Sequence, residues 1–116
     1  MEKHLERARG LMATSPLIDG HNDFPFIIRG FSQNKVSQTD FQLEHLPIGQ
    51  TDFAGLKKGL VGGQFWSAFM PCPKPENDDG RGERVVIDTI QQIDLIHALI
   101  EKYPHILGLA LTADDV

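Results

Sequence analysis

The chain has 116 residues, of which 41% are hydrophobic, and it carries a formal net charge of -5 and one cysteine, Cys72. This length suits one small domain or a part of a larger one. A net negative charge without a basic tract argues against nucleic acid or an anionic membrane surface as a partner. A single cysteine excludes a disulfide within these residues. No apolar run approaches the roughly 20 residues of a membrane span.

Residues 2–12 predict the first helix, because apolar side chains recur at helical spacing with charged ones between them, and residues 13–16 end it. The charged opening lacks the apolar core of a signal peptide. We therefore expect a cytoplasmic location for the chain as written, with a secreted or membrane-anchored parent left open.

The segment after Pro16 combines a predicted strand with polar side chains that can bind metal. Leu17 and Ile18 predict a short buried strand. His21 and Asp23 follow two residues apart, so in extended geometry their side chains point the same way. Imidazole nitrogen and carboxylate oxygen are common zinc ligands. We predict that His21 and Asp23 form part of a metal site, with a solvated turn as the alternative reading of His-x-Asp.

The middle of the chain mixes apolar and irregular segments. Residues 24–28 belong to the core or line a substrate pocket, and residues 29–50 form either an active-site flap or a surface insertion. Thr51 and Asp52 predict the cap of a helix over 53–58, with Gly59 as the left-handed residue after it. Residues 60–70 predict a second buried strand, in which the pair Gly62-Gly63 permits close backbone approach.

Residues 84–102 predict the clearest helix of the chain. Its predicted buried face is apolar and comprises Val86, Ile90, Ile93, Ile96 or His97, and Ile100, whereas its predicted solvent face comprises Asp88, Gln91, Gln92 and Glu101. We interpret His97 as covering a helix face rather than as a metal ligand.

Residues 106–111 predict a third strand, and residues 112–115 predict the cap of a further helix. The order of helices and strands favours an α/β fold with a parallel sheet and crossover helices. Since three strands do not complete such a sheet, we expect residues 1–116 to be the N-terminal segment of a larger α/β domain.

Four motifs in a fixed order resemble one enzyme family. The stretches Leu-Ile-Asp-Gly-His-Asn-Asp-Phe-Pro at 17–25, Gly-Gly-Gln-Phe-Trp-Ser at 62–67, Gln-Gln-Ile-Asp at 91–94 and Tyr-Pro at 103–104 are similar to those of the membrane (renal-type) dipeptidases, the zinc peptidases of family M19. The similarity extends from about residue 11 to residue 116. It implies a (β/α)8 TIM-type barrel, incomplete in this chain.

The resemblance also implies a chemistry. A binuclear zinc site at the C-terminal ends of the barrel strands activates a water that attacks the peptide bond of a dipeptide. His21 and Asp23 correspond to two ligands of one zinc, with Asp19 and Asn22 as candidates for supporting hydrogen bonds. The remaining ligands, a bridging Glu among them, correspond to positions beyond Val116, so no catalytic residue is expected within this chain. Family members often form homodimers.

A barrel of this kind needs about 250 residues, so we expect the isolated chain to be inactive and unstable. Two other functions stay open. One is a different metal-dependent amidohydrolase, although such enzymes more usually begin with His-x-His, and Asp23 argues against it. The other is a non-catalytic small α/β domain or the relic of a truncated gene, in which Asp23 is a turn residue.

Overall fold

The structure, a computed structural model, describes residues 2–33, 36, 43–72 and 81–116. The described elements are helices, two strands and a final 3-10 turn: α1 (Glu2–Thr14), β1 (Leu17–Asn22), α2 (Phe24–Ser32), α3 (Phe53–Lys58), β2 (Val61–Trp66), α4 (Arg81–Lys102) and the turn Ala113–Asp115. The strands β1 and β2 pair in parallel in a two-stranded sheet. The mixed α/β class is confirmed, and the complete barrel stays a prediction.

The chain divides into two compact units. Unit 1 comprises Met1–Asn22, Phe41–Phe65 and Leu109–Val116, and unit 2 comprises Asp23–Asp40 and Trp66–Gly108. No described helix is long and apolar enough to cross a lipid bilayer.

The sheet of unit 1 depends on the small size of Gly62. A Cβ atom at this position would overlap the Cβ of Pro16 and would lie 3.3 Å from the Pro16 Cα. The close approach predicted from the glycine pair is therefore confirmed. The predicted burial of β1 is wrong, because Leu17 and Ile18 are 47% and 43% exposed. A two-stranded sheet shields little of each strand, and burial would require another layer packed on its face.

The helix α3 forms over the predicted residues. Its N-cap side chain, Asp52 Oδ1, accepts a 2.6 Å hydrogen bond from the Gly55 N–H, and Phe53 is buried. The prediction for Gly59 is wrong, because it has φ -78°, and the left-handed residue is Leu60 with φ 55°. The Gly59 N–H donates to the Gly55 carbonyl in a final helical turn, so the chain reverses one residue later than expected.

Unit 2 is built on the packing of α2 against α4. Of the two predictions for the apolar residues 24–28, core or substrate pocket, the structure favours the core, since Phe24 and Ile28 are buried. Arg29 joins the two helices, because its Nη2 atom lies 3.0 Å from Asp88 Oδ1 and 3.1 Å from Gln91 Oε1. The predicted irregular segment 29–50 thus begins with helical residues, and residues 34–35 and 37–42 of it lie outside the described part of the chain.

The predicted buried face of α4 is wrong. Val86 is 60% exposed and Ile90 is 55% exposed, whereas Leu95, Leu99 and Gln92 are buried. The helix therefore packs through the row that continues from Asp88, and Asp88 in this row is a partner of Arg29 on α2. Among the described residues, the amide atoms of the fully buried Gln92 find no hydrogen-bond partner.

The end of the chain departs from the prediction. Residues 106–111 do not pair with either described strand, so the third strand is not formed in the described part. The N–H groups of Ile106 and Leu107 both donate to the Tyr103 carbonyl, which closes a turn after α4. The predicted second strand is also shorter, ending at Trp66. The predicted cap after residue 111 does form, because Asp115 Oδ2 accepts from the Thr112 N–H at 2.7 Å.

Candidate functional site

The two predicted metal ligands lie at the end of β1 and immediately after it. His21 is the penultimate residue of β1 and is exposed, and Asp23 is the N-cap residue of α2 and is partly buried. Asp23 has φ -90° and ψ 22°, so it has left the extended conformation of the strand. The strand period of two therefore does not by itself determine the relative direction of the two side chains.

Asp23 provides one oxygen shielded from solvent, since its Oδ1 atom is buried. Across the described ranges, no three His, Cys, Asp or Glu side chains come together in a group able to hold a metal ion. His21 and Asp23 nevertheless supply an imidazole and a carboxylate, the donor types that zinc accepts in proteins. His21 and Asp23 thus provide two donors of suitable chemistry, one fewer than the three protein ligands of a usual catalytic zinc site.

Hydrogen bonds through Asp19 connect the backbone of the candidate ligand His21 to β2. Asp19 Oδ1 accepts the backbone N–H of His21 at 3.2 Å, and Asp19 Oδ2 accepts from Gln64 Nε2 at 2.8 Å. The hydrogen bond from the His21 backbone lowers the pKa of Asp19, and those from the Gln64 and Asn22 side chains lower it further. The end of β1 therefore keeps a negative charge, held between the two strands.

A second hydrogen bond ties the same strand end to another segment of unit 1. Asn22 Nδ2 donates to Thr51 Oγ1 at 3.2 Å. Asp19 and Asn22, the predicted candidates for supporting hydrogen bonds, do form hydrogen bonds beside His21. Sequence reasoning missed Gln64, although a single amide inside an otherwise apolar strand is the signal that would have identified it.

Three further residues singled out from the sequence are Phe24, His97 and Cys72. The ring of Phe24 is fully buried and lies 5.5 Å from the ring of Trp66, which favours the core interpretation of this aromatic residue. His97 is exposed on α4, as is the thiol of Cys72 near the end of the segment 43–72.

Comparison with known proteins gives a consistent result over almost the whole chain. The family model for membrane dipeptidases, peptidase family M19, matches residues 5–116. Dipeptidase ataJ of Aspergillus terreus (strain NIH 2624 / FGSC A1156) is 48% identical over an alignment of 117 positions, and the alignment covers 97% of this chain and 28% of the relative. Dipeptidase verJ of Clonostachys rogersoniana is 45% identical over 121 residues, covering 100% of this chain and 30% of the relative.

A mammalian relative matches over the same region. Dipeptidase 3 of Rattus norvegicus is 42% identical over 111 residues, which cover 96% of this chain and 21% of the relative. The chain therefore spans less than a third of the length of these curated relatives.

Proposed function

Because the chain belongs to the membrane dipeptidase family, peptidase family M19, we propose that its polypeptide is a zinc-dependent dipeptidase that hydrolyses the peptide bond of dipeptides. The observation that carries the proposal is the family match over residues 5–116, which includes the His-x-Asp motif at the end of β1. Relatives that are 48%, 45% and 42% identical and bear the name dipeptidase support it.

In this proposal His21 and Asp23 hold one zinc of a binuclear site. His21 offers the lone pair of a neutral imidazole from the end of a strand, where its exposure leaves room for an ion. Asp23 offers a carboxylate that offsets positive charge. Zinc in such sites supplies a water of lowered pKa and polarises the carbonyl of the bond to be cleaved. The bridging carboxylate and the other ligands belong to positions after Val116 in the family pattern.

The architecture that goes with this function is a (β/α)8 barrel, in which residues 1–116 form the N-terminal segment of one domain. The isolated chain is then inactive, because two protein ligands bind a catalytic metal poorly. A homodimer is part of the same proposal, and the mass of the native protein in solution, measured by light scattering, tests it.

The test uses the polypeptide expressed from its complete gene. Zinc content per chain and hydrolysis of a dipeptide panel are measured for the wild type and for His21→Ala and Asp23→Asn. We expect both variants to lose zinc and activity, whereas the control His97→Ala, which removes an exposed histidine from α4, keeps both. Circular dichroism shows whether each variant is folded.

Two outcomes would contradict the proposal. Folded His21→Ala or Asp23→Asn protein with unchanged zinc content would exclude the residue concerned as a ligand. Hydrolysis of cyclic amides without hydrolysis of dipeptides would instead identify a different amidohydrolase. For the isolated 116-residue chain, zinc-stimulated cleavage of a dipeptide would show that the proposed inactivity is wrong.

A further inference from the structure

The side chain of Asp19 connects the two strands of the sheet at the point where β1 ends. One carboxylate oxygen accepts the His21 backbone N–H at 3.2 Å, and the other accepts from Gln64 Nε2 at 2.8 Å. All three residues lie in unit 1, and Asp19 and Gln64 are both partly buried. A carboxylate that accepts from two donors on different strands cannot rotate without breaking at least one of these hydrogen bonds.

The hydrogen bond to the His21 N–H acts on the backbone of a candidate metal ligand. The orientation of an imidazole depends on the backbone that carries it, and groups that orient ligands typically change metal affinity by 10–100-fold when they are removed. The bond from Asn22 Nδ2 to Thr51 Oγ1, at 3.2 Å, holds the next residue of the strand from a different segment. The end of β1 is thus fixed on both sides of the His21 peptide unit.

From this geometry we propose that Gln64 is a positioning residue for the metal site, which acts through Asp19 to hold His21 in the orientation that binds zinc. This inference rests on the proposed function. Neither Gln64 nor Asp19 contacts the metal in this arrangement. Their effect is to reduce the conformational freedom that His21 would otherwise lose when the ion binds.

The test exchanges the carboxylate of Asp19 and the amide of Gln64 between the two positions. Gln64→Glu places a second carboxylate against Asp19, and the repulsion should break the contact at neutral pH. Asp19→Asn alone should have a smaller effect than Gln64→Glu, because it keeps the size of the side chain, keeps an oxygen for the His21 N–H and brings no like charges together. In the double variant, the new asparagine NH2 donates to the new carboxylate, while its oxygen can still accept the His21 N–H.

Two quantities are measured in the polypeptide expressed from its complete gene. The first is zinc affinity, by competition with a chromophoric chelator, and the second is the exchange rate of the His21 amide proton in the zinc-free protein. We expect Gln64→Glu to weaken zinc binding by about 10–100-fold and to speed this exchange, and the double variant to reverse most of both effects. Asp115→Asn is the control, because Asp115 is another aspartate of unit 1 that accepts backbone hydrogen bonds.

The outcomes separate this inference from the proposed function. A wild-type protein that binds no zinc overturns the proposed function and with it the purpose assigned to Gln64, while amide exchange still reports whether the Asp19 contact exists. A zinc-binding wild type whose Gln64→Glu variant keeps its zinc affinity overturns the positioning role alone. A Gln64→Glu variant that loses zinc affinity without recovery in the double variant also overturns it, since the loss then does not arise from the Asp19 contact.

Discussion

Replacing Gly62 by alanine tests whether the close contact of β2 with Pro16 controls the stability of unit 1. The new methyl group would overlap the Pro16 Cβ, which belongs to a rigid ring and cannot rotate away. Overpacking of this kind costs about 1–3 kcal/mol. Alanine recovers roughly 0.5–1 kcal/mol of backbone entropy relative to glycine within a strand. We therefore expect Gly62→Ala to lower the free energy of unfolding by about 1 kcal/mol.

Two other glycines of the sheet provide matched controls. A Cβ at Gly63 would lie 3.1 Å from the Ile18 Cδ1 atom, the far end of a flexible side chain, so Gly63→Ala should cost less. A Cβ at Gly20 would meet nothing within 4 Å, so Gly20→Ala should be neutral or stabilising. The expected order of stability is Gly20→Ala, then Gly63→Ala, then Gly62→Ala.

Urea unfolding followed by far-ultraviolet circular dichroism measures these differences. With a slope of about 1–3 kcal/mol per molar urea, a loss of about 1 kcal/mol should lower the midpoint of Gly62→Ala by roughly 0.3–1 M relative to the wild type. A Gly62→Ala protein as stable as Gly20→Ala would refute the reasoning, because it would mean that the strands do not approach closely at Pro16.

Three further predictions concern the helix α4 and the end of β1. Leu99→Ala, at a fully buried position, should destabilise by about 2–5 kcal/mol in urea unfolding, whereas Ile90→Ala should cost well under 1 kcal/mol because Ile90 is 55% exposed. Gln92→Met, which removes a buried amide, should leave the midpoint of urea unfolding unchanged or raise it in the polypeptide expressed from its complete gene. Because the folded-state pKa of Asp19 is lowered, its contribution to stability should be complete above the unfolded pKa of about 4 and should disappear as pH falls through the folded pKa.

A specific result would contradict each of these three predictions. A larger loss for Ile90→Ala than for Leu99→Ala would place the buried face of α4 on its other side. A marked loss for Gln92→Met would indicate a hydrogen bond to that amide. For the pH dependence, Asp19→Asn should flatten the decline of the unfolding free energy below pH 4. An unchanged decline would mean that other carboxylates cause it. One such carboxylate is Asp115, whose pKa is also lowered by hydrogen bonds from the Thr112 and Leu111 backbone.

Local signals predicted α1, α3 and α4, because the groups that determine these helices lie within a few residues of each other, whereas α2 (Phe24–Ser32) was not predicted. Asp52 caps α3 through the Gly55 N–H three residues later, and Pro104 follows the end of α4 at Lys102. The first helix was predicted over 2–12 and forms over Glu2–Thr14. At the candidate site, the sequence predicted the residue types and the position of His21 at a strand end, and the role of His21 as a ligand stays a prediction.

The sequence by itself therefore determined the helices α1, α3 and α4, the glycine pair that lets β2 approach Pro16, and the family, since each depends on local chemistry or on the order of motifs. Only the tertiary structure decided which row of α4 is buried, because α4 carries two rows with apolar residues and α2 packs against this helix. Likewise, the contact between Asp19 and Gln64 joins residues that are 45 positions apart. No helical or strand period relates such residues, so only the pairing of two strands can bring them together.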